Sequence, residues 1–382
     1  IVNTGDALTY LLESNGSYDF LAARNYSGAE IILDNVSVKE YSGQEVVPDS
    51  GCGSWLWEPQ STNLITQSEL FSDASWVKLG AGTGSAAIVT SDYAISPDGT
   101  QNASRLQCDL NGGGGSVSNQ SLIYDLYTSS GNQSLSIYVK SNNGLNQTIY
   151  FSNTQTSGDT ITVTNEWQRF EFNHITATYV FAIGLRGRSG GAIDDTADIL
   201  IWGAQVEQQS YATSYIPTEG SQTTRNSDLC TNGGSLASIN STEGVLYFEG
   251  STLVNGGANR YISLSNNTSS NRLQVIFHNN SNRLSIGMAN PIGSVASIND
   301  FSFVQTNNNK VAVSYSALGL RLFVNGILRG SNTDNASFTP NTLTTLDFVL
   351  WNQTTSPFEG NIKCLAVWKE ALTDAELTEL TT

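Results

Sequence analysis

The chain has 382 residues, with 17 Lys and Arg against 34 Asp and Glu, so its formal net charge is −17. This acidic balance argues against a nucleic acid partner, since phosphate binding needs a basic patch and the basic residues here are scattered singly. No apolar run reaches the roughly 18 to 20 residues of a membrane helix, so membrane insertion is not expected. Abundant Asn, Ser and Thr with 35 Gly indicate an all-β protein of short strands and turns.

A weak repeat marks the start of the chain. Residues 30–40 align without a gap with residues 198–208, each beginning with an acid followed by three aliphatic residues. Both copies are expected to end a module, and the first has too few residues before it to be whole. We therefore expect residues 1–45 to be the C-terminal remnant of a first jelly-roll-like module in a fragment of a longer protein. Residues 46–58 are expected to form a linker.

A middle module is predicted over residues 59–217. Turn signals recur every 8 to 12 residues, and this spacing is typical of a β-sandwich. The predicted strands are 104–109, 122–127, 134–140, 147–151, 160–164, 167–173 and 198–206. In the last of these, Leu200, Trp202, Ala204 and Val206 alternate with their neighbours, which predicts one face in the core. The module is interpreted as a jelly-roll-like sandwich, and the polar residues 218–240 as a second linker.

The last module, residues 241–382, is predicted to be a second antiparallel sandwich. Its strands are expected at 244–250, 260–264, 272–277, 283–287, 310–315, 319–324, 327–329, 344–351 and 360–368. Asn325-Gly326 predicts a type I′ hairpin turn, because both positions tolerate positive φ. Thr373 and Glu376 form a capping-box pattern, which predicts one short C-terminal helix at 373–381.

Two stretches resemble known families. The motif W-G-A-Q-V-E at 202–207, followed by T-S-Y-I-P-T at 213–218 and Arg225, resembles the carbohydrate-binding-module-like jelly rolls of tailed-phage and prophage structural proteins. Residues 58–76 extend this resemblance upstream. Residues 310–315, 319–328 and 362–377 look like a concanavalin-like (laminin-G-like) lectin/glucanase fold.

The pairing of these modules implies a fibre, spike or adhesion component at the surface of a phage virion. Its implied partners are other virion subunits, as a homo-oligomer, and host surface polysaccharide. The alternative is a secreted bacterial polysaccharide-binding protein or adhesin. The resembling motifs lie on strands and turns that maintain the fold, so they identify no ligand-binding residue.

Little in the sequence indicates catalysis, so no catalytic residue is predicted and the protein is not expected to be an enzyme. His174 and His278 are the only histidines, and each lies at or near the end of a predicted strand. Glycoside hydrolases of the concanavalin-like fold carry acids alternating on one strand, because two carboxylates must face one sugar. Residues 240–382 contain no such run; Glu243 and Glu249 are six apart with no acid between them.

Two places fit glycan binding, which needs an exposed aromatic ring beside amide or guanidinium donors. These are Trp351 with Asn352 in the last module, and Arg186 with Arg188 in the middle one; core packing or a solvated strand face is the alternative for each. Asp194, Asp195 and Asp198 form the densest acidic cluster. It is interpreted either as a solvated turn or as a structural Ca²⁺ site, and no other cofactor is predicted.

The four cysteines, Cys52, Cys108, Cys230 and Cys364, are far apart and form no C-x-x-C pair. A zinc site or a redox motif is therefore not supported. Two interpretations stay open: buried free thiols, or one bridge such as Cys52 to Cys108.

Overall fold

A computed structural model describes residues 48–49, 54–152, 159–174, 179–188, 193–290, 297–351 and 355–382. The predicted remnant at 1–45 and Cys52 lie outside the described residues. As predicted, the fold is nearly all β, with antiparallel sheets and one short C-terminal helix. No helix among the described residues is both long and apolar enough to cross a membrane.

Fourteen strands precede residue 226 in the described part of the chain. They are β1 (Pro48–Asp49), β2 (Ser54–Trp57), β3 (Ser61–Asn63), β4 (Val77–Ala81), β5 (Ile88–Ala94), β6 (Ala103–Asp109), β7 (Gln120–Leu126), β8 (Gln133–Ser141), β9 (Gln147–Ser152), β10 (Asp159–Val163), β11 (Gln168–His174), β12 (Val180–Arg186), β13 (Thr196–Glu207) and β14 (Thr223–Arg225). Of these, β4 to β13 form the first sandwich, β3 and β14 pair with each other, and β1 and β2 join a sheet of the second sandwich.

The elements after residue 243 build the second sandwich. They are β15 (Gly244–Thr252), β16 (Arg260–Thr268), β17 (Asn271–Phe277), β18 (Leu284–Ala289), β19 (Ser297–Asp300), β20 (Asn309–Ser316), β21 (Gly319–Val324), β22 (Ile327–Asn332), β23 (Thr345–Asp347), β24 (Gly360–Trp368) and the helix α1 (Asp374–Thr381).

The first sandwich packs two five-stranded antiparallel sheets against each other. Their strand orders are β10-β9-β12-β7-β4 and β11-β8-β13-β6-β5. The side chains between them are almost entirely aliphatic and aromatic, and the central ones, such as Ile137, Ile183 and Ile201, are fully buried. Burial of this apolar surface, at roughly 25 cal/mol per Å², is the main term that stabilises the sandwich.

Strand β13 differs from the predicted simple alternation. The register of its pairing with β8 shifts between Trp202 and Gln205, where Gly203 has a φ of +67°. A bulge of this kind exchanges the two faces of a strand. The core therefore receives Ile199 and Ile201 before the bulge and Ala204 after it, while Trp202 lies on the opposite face. The prediction that Trp202 shares the core face with Ala204 was wrong. The bulge at Gly203 adds one residue, so the alternation of side chains between the two faces shifts by one position after it.

The second sandwich packs a seven-stranded sheet, β1-β2-β24-β15-β20-β21-β22, against a five-stranded one, β19-β18-β17-β16-β23. Helix α1 covers the outer face of the larger sheet, where Leu377 is fully buried. Thr373 caps it in a complete capping box, which confirms the prediction. Asn325 and Gly326 both have positive φ between β21 and β22, which confirms the type I′ turn.

The chain order shows that the first sandwich is inserted into the second. Strand β2 pairs with β24, the last strand, so residues 54–57 belong to the sheet of the second sandwich. The chain then builds the first sandwich and returns through β14, which pairs with β3. The predicted linkers at 46–58 and 218–240 therefore both contain strands. Sequence periodicity did not indicate them, because each is at most four residues long.

Candidate functional site

A buried polar cluster fills the end of β13 in the first sandwich. The Glu207 side chain is fully buried, and its carboxylate accepts hydrogen bonds from the hydroxyls of Ser61 and Thr213, both at 2.5 Å. It also accepts from the Thr213 backbone N–H (2.8 Å) and from the amide groups of Gln205 (2.7 Å) and Gln209 (3.0 Å). Five donors offset the cost of burying one carboxylate.

The segment after β13 is bound to the sheet by side chains of residues 202–207. The Ile216 N–H donates to the Gln205 side-chain carbonyl (2.6 Å), and the Tyr215 ring packs on Trp202 with ring centroids 4.5 Å apart. The Tyr215 hydroxyl meets that of Ser68 at 2.6 Å. The residues of W-G-A-Q-V-E and T-S-Y-I-P-T are thus bound to one another and to β3. This arrangement agrees with the expectation that the motif maintains the fold.

Arg186 ends β12, and Arg188 follows two residues later, in the sheet formed by β10, β9, β12, β7 and β4. Phe181, Ile183 and Leu185 of β12 face the core, so Arg186 points to the opposite side. Both arginines are half-buried, and neither forms a salt bridge within the described ranges. This placement brings the two predicted residues together at one end of β12.

Tyr150 of β9 pairs in register with Gly184, so it lies on the same side of the sheet as Arg186, and it is fully buried. Its burial raises the pKa of its phenol, while hydrogen bonding to Ser152 and the positive charges of Arg186 and Arg188 oppose that rise. The phenol therefore stays protonated at neutral pH and acts as a polar support for the arginines. Tyr124 of β7 is half-buried and pairs in register with Ala182, two positions from Gly184 along β12.

A glycine-rich loop borders the arginines. The Arg186 Nε donates to the carbonyl of Val117 (3.2 Å), and the Arg188 backbone N–H donates to that of Gly114 (2.7 Å). Gly187 between them must be glycine, because a Cβ there would lie 2.1 Å from the carbonyl oxygen of Ser116. The sequence did not indicate Tyr124 or Tyr150. Tyr124 and Tyr150 are next to the core residues Ile123 and Ile149 in their strands. Because neighbouring side chains in a strand point to opposite faces, this alternation could have placed the two tyrosines on the face away from the core.

The other predicted glycan residues lie elsewhere. Trp351 is half-buried in a turn of the second sandwich, after Leu350. Asn352 lies outside the described residues. The two predicted sites therefore belong to different sandwiches and do not form one site.

The three predicted metal ligands do not share a common point. Asp198 forms a two-pronged ion pair with Arg105 (2.6 and 2.7 Å), which lowers the pKa of its carboxyl. Asp194 accepts from the Thr148 N–H (2.6 Å) and Asp195 from the Gly112 N–H (2.7 Å). The part of the chain that the structure describes contains no group of three or more His, Cys, Asp or Glu residues able to hold a metal ion. Among the described contacts, the Asp194 and Asp195 carboxylates accept from backbone N–H groups, and Asp198 links β13 to β6 through Arg105.

The acids and the histidine of the second sandwich also have structural partners. Glu249 accepts from Asn308 (3.1 Å) and from the Tyr247 hydroxyl (3.3 Å), and Glu243 accepts weakly from the Ala371 N–H (3.4 Å). The His278 Nδ1 accepts from the Asn280 N–H (3.0 Å) and closes a turn. Each of these side chains has a local role in a turn or strand.

The described cysteines are free thiols. Cys108 is buried, Cys230 is intermediate and Cys364 is exposed. Burial raises the pKa of Cys108 to about 12, so this thiol is unreactive at neutral pH. The interpretation of buried free thiols thus fits Cys108, whereas Cys364 is at the surface.

Residues 237–378 match a family model described as the concanavalin A-like lectin/glucanases superfamily. This match spans most of the second sandwich and confirms the predicted concanavalin-like domain. No curated protein matches the chain significantly in sequence.

Among solved structures, the chain is similar to the CBM40 of the Ruminococcus gnavus IT-sialidase bound to α2,3-sialyllactose, with 18% identity and a TM-score of 0.32 over 37% of this chain and 83% of that one. It is also similar to domain 4 of AbnA, a GH43 extracellular arabinanase from Geobacillus stearothermophilus, in complex with arabinotriose (14%, TM-score 0.33, 39% and 70%). A SAP-like pentraxin from Limulus polyphemus gives 13% identity and a TM-score of 0.33 over 40% and 74%.

Proposed function

We propose that the chain is a glycan-binding protein without catalytic activity, and that Arg186 and Arg188 of the first sandwich hold an acidic saccharide. The observation that carries this proposal is the pair Arg186 and Arg188, half-buried at the end of the central strand β12 with no carboxylate partner among the described residues. In a chain of net charge −17, two adjacent unneutralised guanidinium groups favour a bound carboxylate or sulfate. The lectin-superfamily match of the second sandwich supports saccharide binding by the chain in general.

The setting we propose for this activity is a phage virion, where the chain would be a fibre, spike or adhesion segment that assembles with virion subunits and meets host polysaccharide. The resemblance of residues 59–228 to phage jelly rolls supports this setting. Electron microscopy of purified particles with a gold-labelled antibody tests it. We expect label on symmetric appendages; a free monomer in culture supernatant would instead favour a secreted bacterial polysaccharide-binding protein or adhesin.

The binding proposal is tested by titrating acidic and neutral polysaccharides calorimetrically against the protein and its variants. We expect the double variant R186A/R188A to lose at least about tenfold in affinity for the acidic polymer, since each guanidinium supplies charge-assisted hydrogen bonds. The matched control is Arg272→Ala in the second sandwich, which removes another half-buried arginine that forms no ion pair with the residues that the structure describes. Equal loss in the control, or none in the double variant, would contradict the proposed site. Release of reducing ends from the polymer would contradict the absence of catalysis.

A further inference from the structure

The two connections between the sandwiches are bound to each other. The Glu58 N–H donates to the Asp228 carboxylate (2.8 Å), and the Asp228 N–H donates to the Glu58 carbonyl (2.9 Å). Arg225 forms a buried ion pair with the Glu58 carboxylate. All three side chains are less than a tenth exposed. The two connections are therefore joined by buried hydrogen bonds and an ion pair where they pass between the sandwiches.

A groove of about 520 Å³ lies beside this junction and is lined by both sandwiches. The first sandwich contributes Asn132, Gln208 and Tyr211, and the second contributes Arg260 and Glu359. The volume is within the range of roughly 300 to 1,000 Å³ found for small-ligand sites. It belongs to neither sandwich alone, so the insertion of one domain into the other creates it.

The lining of the groove is polar but electrically balanced. The Arg260 Nε donates to the Glu359 carboxylate (2.9 Å), and its Nη1 donates to the carbonyls of Gly256 (3.1 Å) and Ala258 (3.3 Å). Arg260 is 4% exposed, so its charge is compensated inside the wall of the groove. An ionic ligand would therefore find no free opposite charge.

The remaining lining groups suit hydroxyl groups. The side-chain amides of Asn132 and Gln208 are exposed, and an amide both donates and accepts hydrogen bonds, as a hydroxyl does. The Tyr211 phenol lies near Glu359, and burial together with that negative charge raises its pKa, so it keeps its proton and remains a donor. Its ring offers an apolar face beside these donors.

We propose that the groove between the sandwiches binds a neutral oligosaccharide, at a site separate from Arg186 and Arg188. The hydroxyl groups of an uncharged sugar can donate to and accept from the side-chain amides. They also need no opposite charge, which suits a wall in which Arg260 is neutralised by Glu359. The ring of Tyr211 supplies the stacking surface, while the hydrogen-bonded junction at Glu58 pre-organises the two walls.

The test uses the whole chain and a mixture of cellohexaose, maltohexaose and mannohexaose as probes, with binding detected by saturation-transfer NMR and affinity measured by calorimetry. We expect at least one hexasaccharide to bind, and Tyr211→Ala to weaken it by about tenfold or more, as expected for an aromatic anchor. Ser210→Trp, at an exposed lining position, fills the groove while leaving the observed hydrogen bonds intact and is expected to abolish binding without lowering the melting temperature. Binding that persists in Ser210→Trp, or absence of binding by all three sugars, would overturn the proposal.

The control separates this site from the one at Arg186 and Arg188. R186A/R188A should bind the neutral hexasaccharide as the parent does, and Ser210→Trp should bind the acidic polymer as the parent does. Loss of both ligands in either variant would show one shared site and overturn the inference. Failure of the acidic polymer alone would contradict only the proposed function of the arginines.

Discussion

Two buried sites, one in each sandwich, differ in chemistry: a carboxylate in the first sandwich and a cluster of phenylalanine rings in the second. Glu207 accepts five hydrogen bonds at the end of β13. In the second sandwich, the Phe277 ring lies 5.3 Å from that of Phe248 and 5.2 Å from that of Phe358, in edge-to-face contacts. Glu207 and Phe277 are both fully buried.

At the site of Glu207 the fold requires hydrogen-bond acceptors in set directions, whereas at the site of Phe277 it requires apolar volume. Hydrogen bonds are directional, so Glu207 can be replaced only by a group that accepts from the same donors. Apolar contacts are non-directional, so Phe277 can be replaced by another side chain of similar volume. A substitution that keeps shape but changes hydrogen bonding should therefore harm the first sandwich, and one that keeps apolar character but changes shape should be tolerated better by the second.

The largest effect is expected for Glu207→Gln. The glutamine has nearly the same volume, but its amide group would face hydroxyl, N–H and amide donors and would leave some of them unsatisfied. We expect about 3 to 5 kcal/mol loss in the free energy of unfolding, measured by urea denaturation, because removing one partner leaves buried polar groups unpaired. Hydrogen exchange should increase in β13 and β3 before it increases in β17.

Glu166→Gln is the matched control, since Glu166 is exposed in the same sandwich. A loss below about 0.5 kcal/mol is expected there. If Glu207→Gln were equally harmless, the buried carboxylate would not be required, and the contrast between the sandwiches would fail.

A smaller effect is expected for Phe277→Leu in the second sandwich. Leucine keeps the site apolar and removes part of the ring volume, so we expect about 1.5 kcal/mol loss in the same urea experiment. Phe277→Ala is the reference for a full cavity and should cost about 3 to 5 kcal/mol. A leucine variant as unstable as the alanine variant would show that the ring geometry, and not the buried volume, stabilises the cluster.

Most of the fold could be predicted because it depends on local periodicity. The β17 strand, the Asn325-Gly326 turn and the Thr373 cap each have a signal within a few residues. The strand β2 could not be predicted in its sheet, because its pairing with β24 joins residues about 300 positions apart. The bulge at Gly203 was missed because one glycine shifts parity without any change of composition.

The candidate sites were predictable only in part. Arg186 and Arg188 could be proposed from the sequence because they are close in sequence, at one strand end, and their binding role stays a prediction. The groove could not be proposed, because Tyr211 and Arg260 belong to different sandwiches and meet only through the insertion. Sequence spacing carries information about one strand or turn, but not about a surface that two domains form together.

The smallest effect concerns a second buried carboxylate in the first sandwich, which lacks the donors of Glu207. Asp125 is 6% exposed, and the hydrogen bond that the structure gives its carboxylate comes from the Leu126 N–H (2.7 Å). Burial raises the pKa of Asp125 to about 6 from 3.8. Between these values the folded chain binds more protons than the unfolded chain, so the contribution of this group to stability falls as the pH rises from about 4 to about 6 and is constant above.

Asp125→Asn should remove this dependence, because the amide stays neutral and can still accept from the Leu126 N–H. We expect the variant to be more stable than the parent by about 1 kcal/mol above pH 6 and equal to it near pH 3.5, in urea denaturation at both pH values. Asp92→Asn, at an exposed position whose positive φ asparagine also adopts, should show the parent profile. A parent that is more stable than Asp125→Asn at pH 7 would mean that the charged carboxylate is stabilising. Burial without matching donors would then carry no penalty here, and the five donors around Glu207 would not explain why that acid is tolerated.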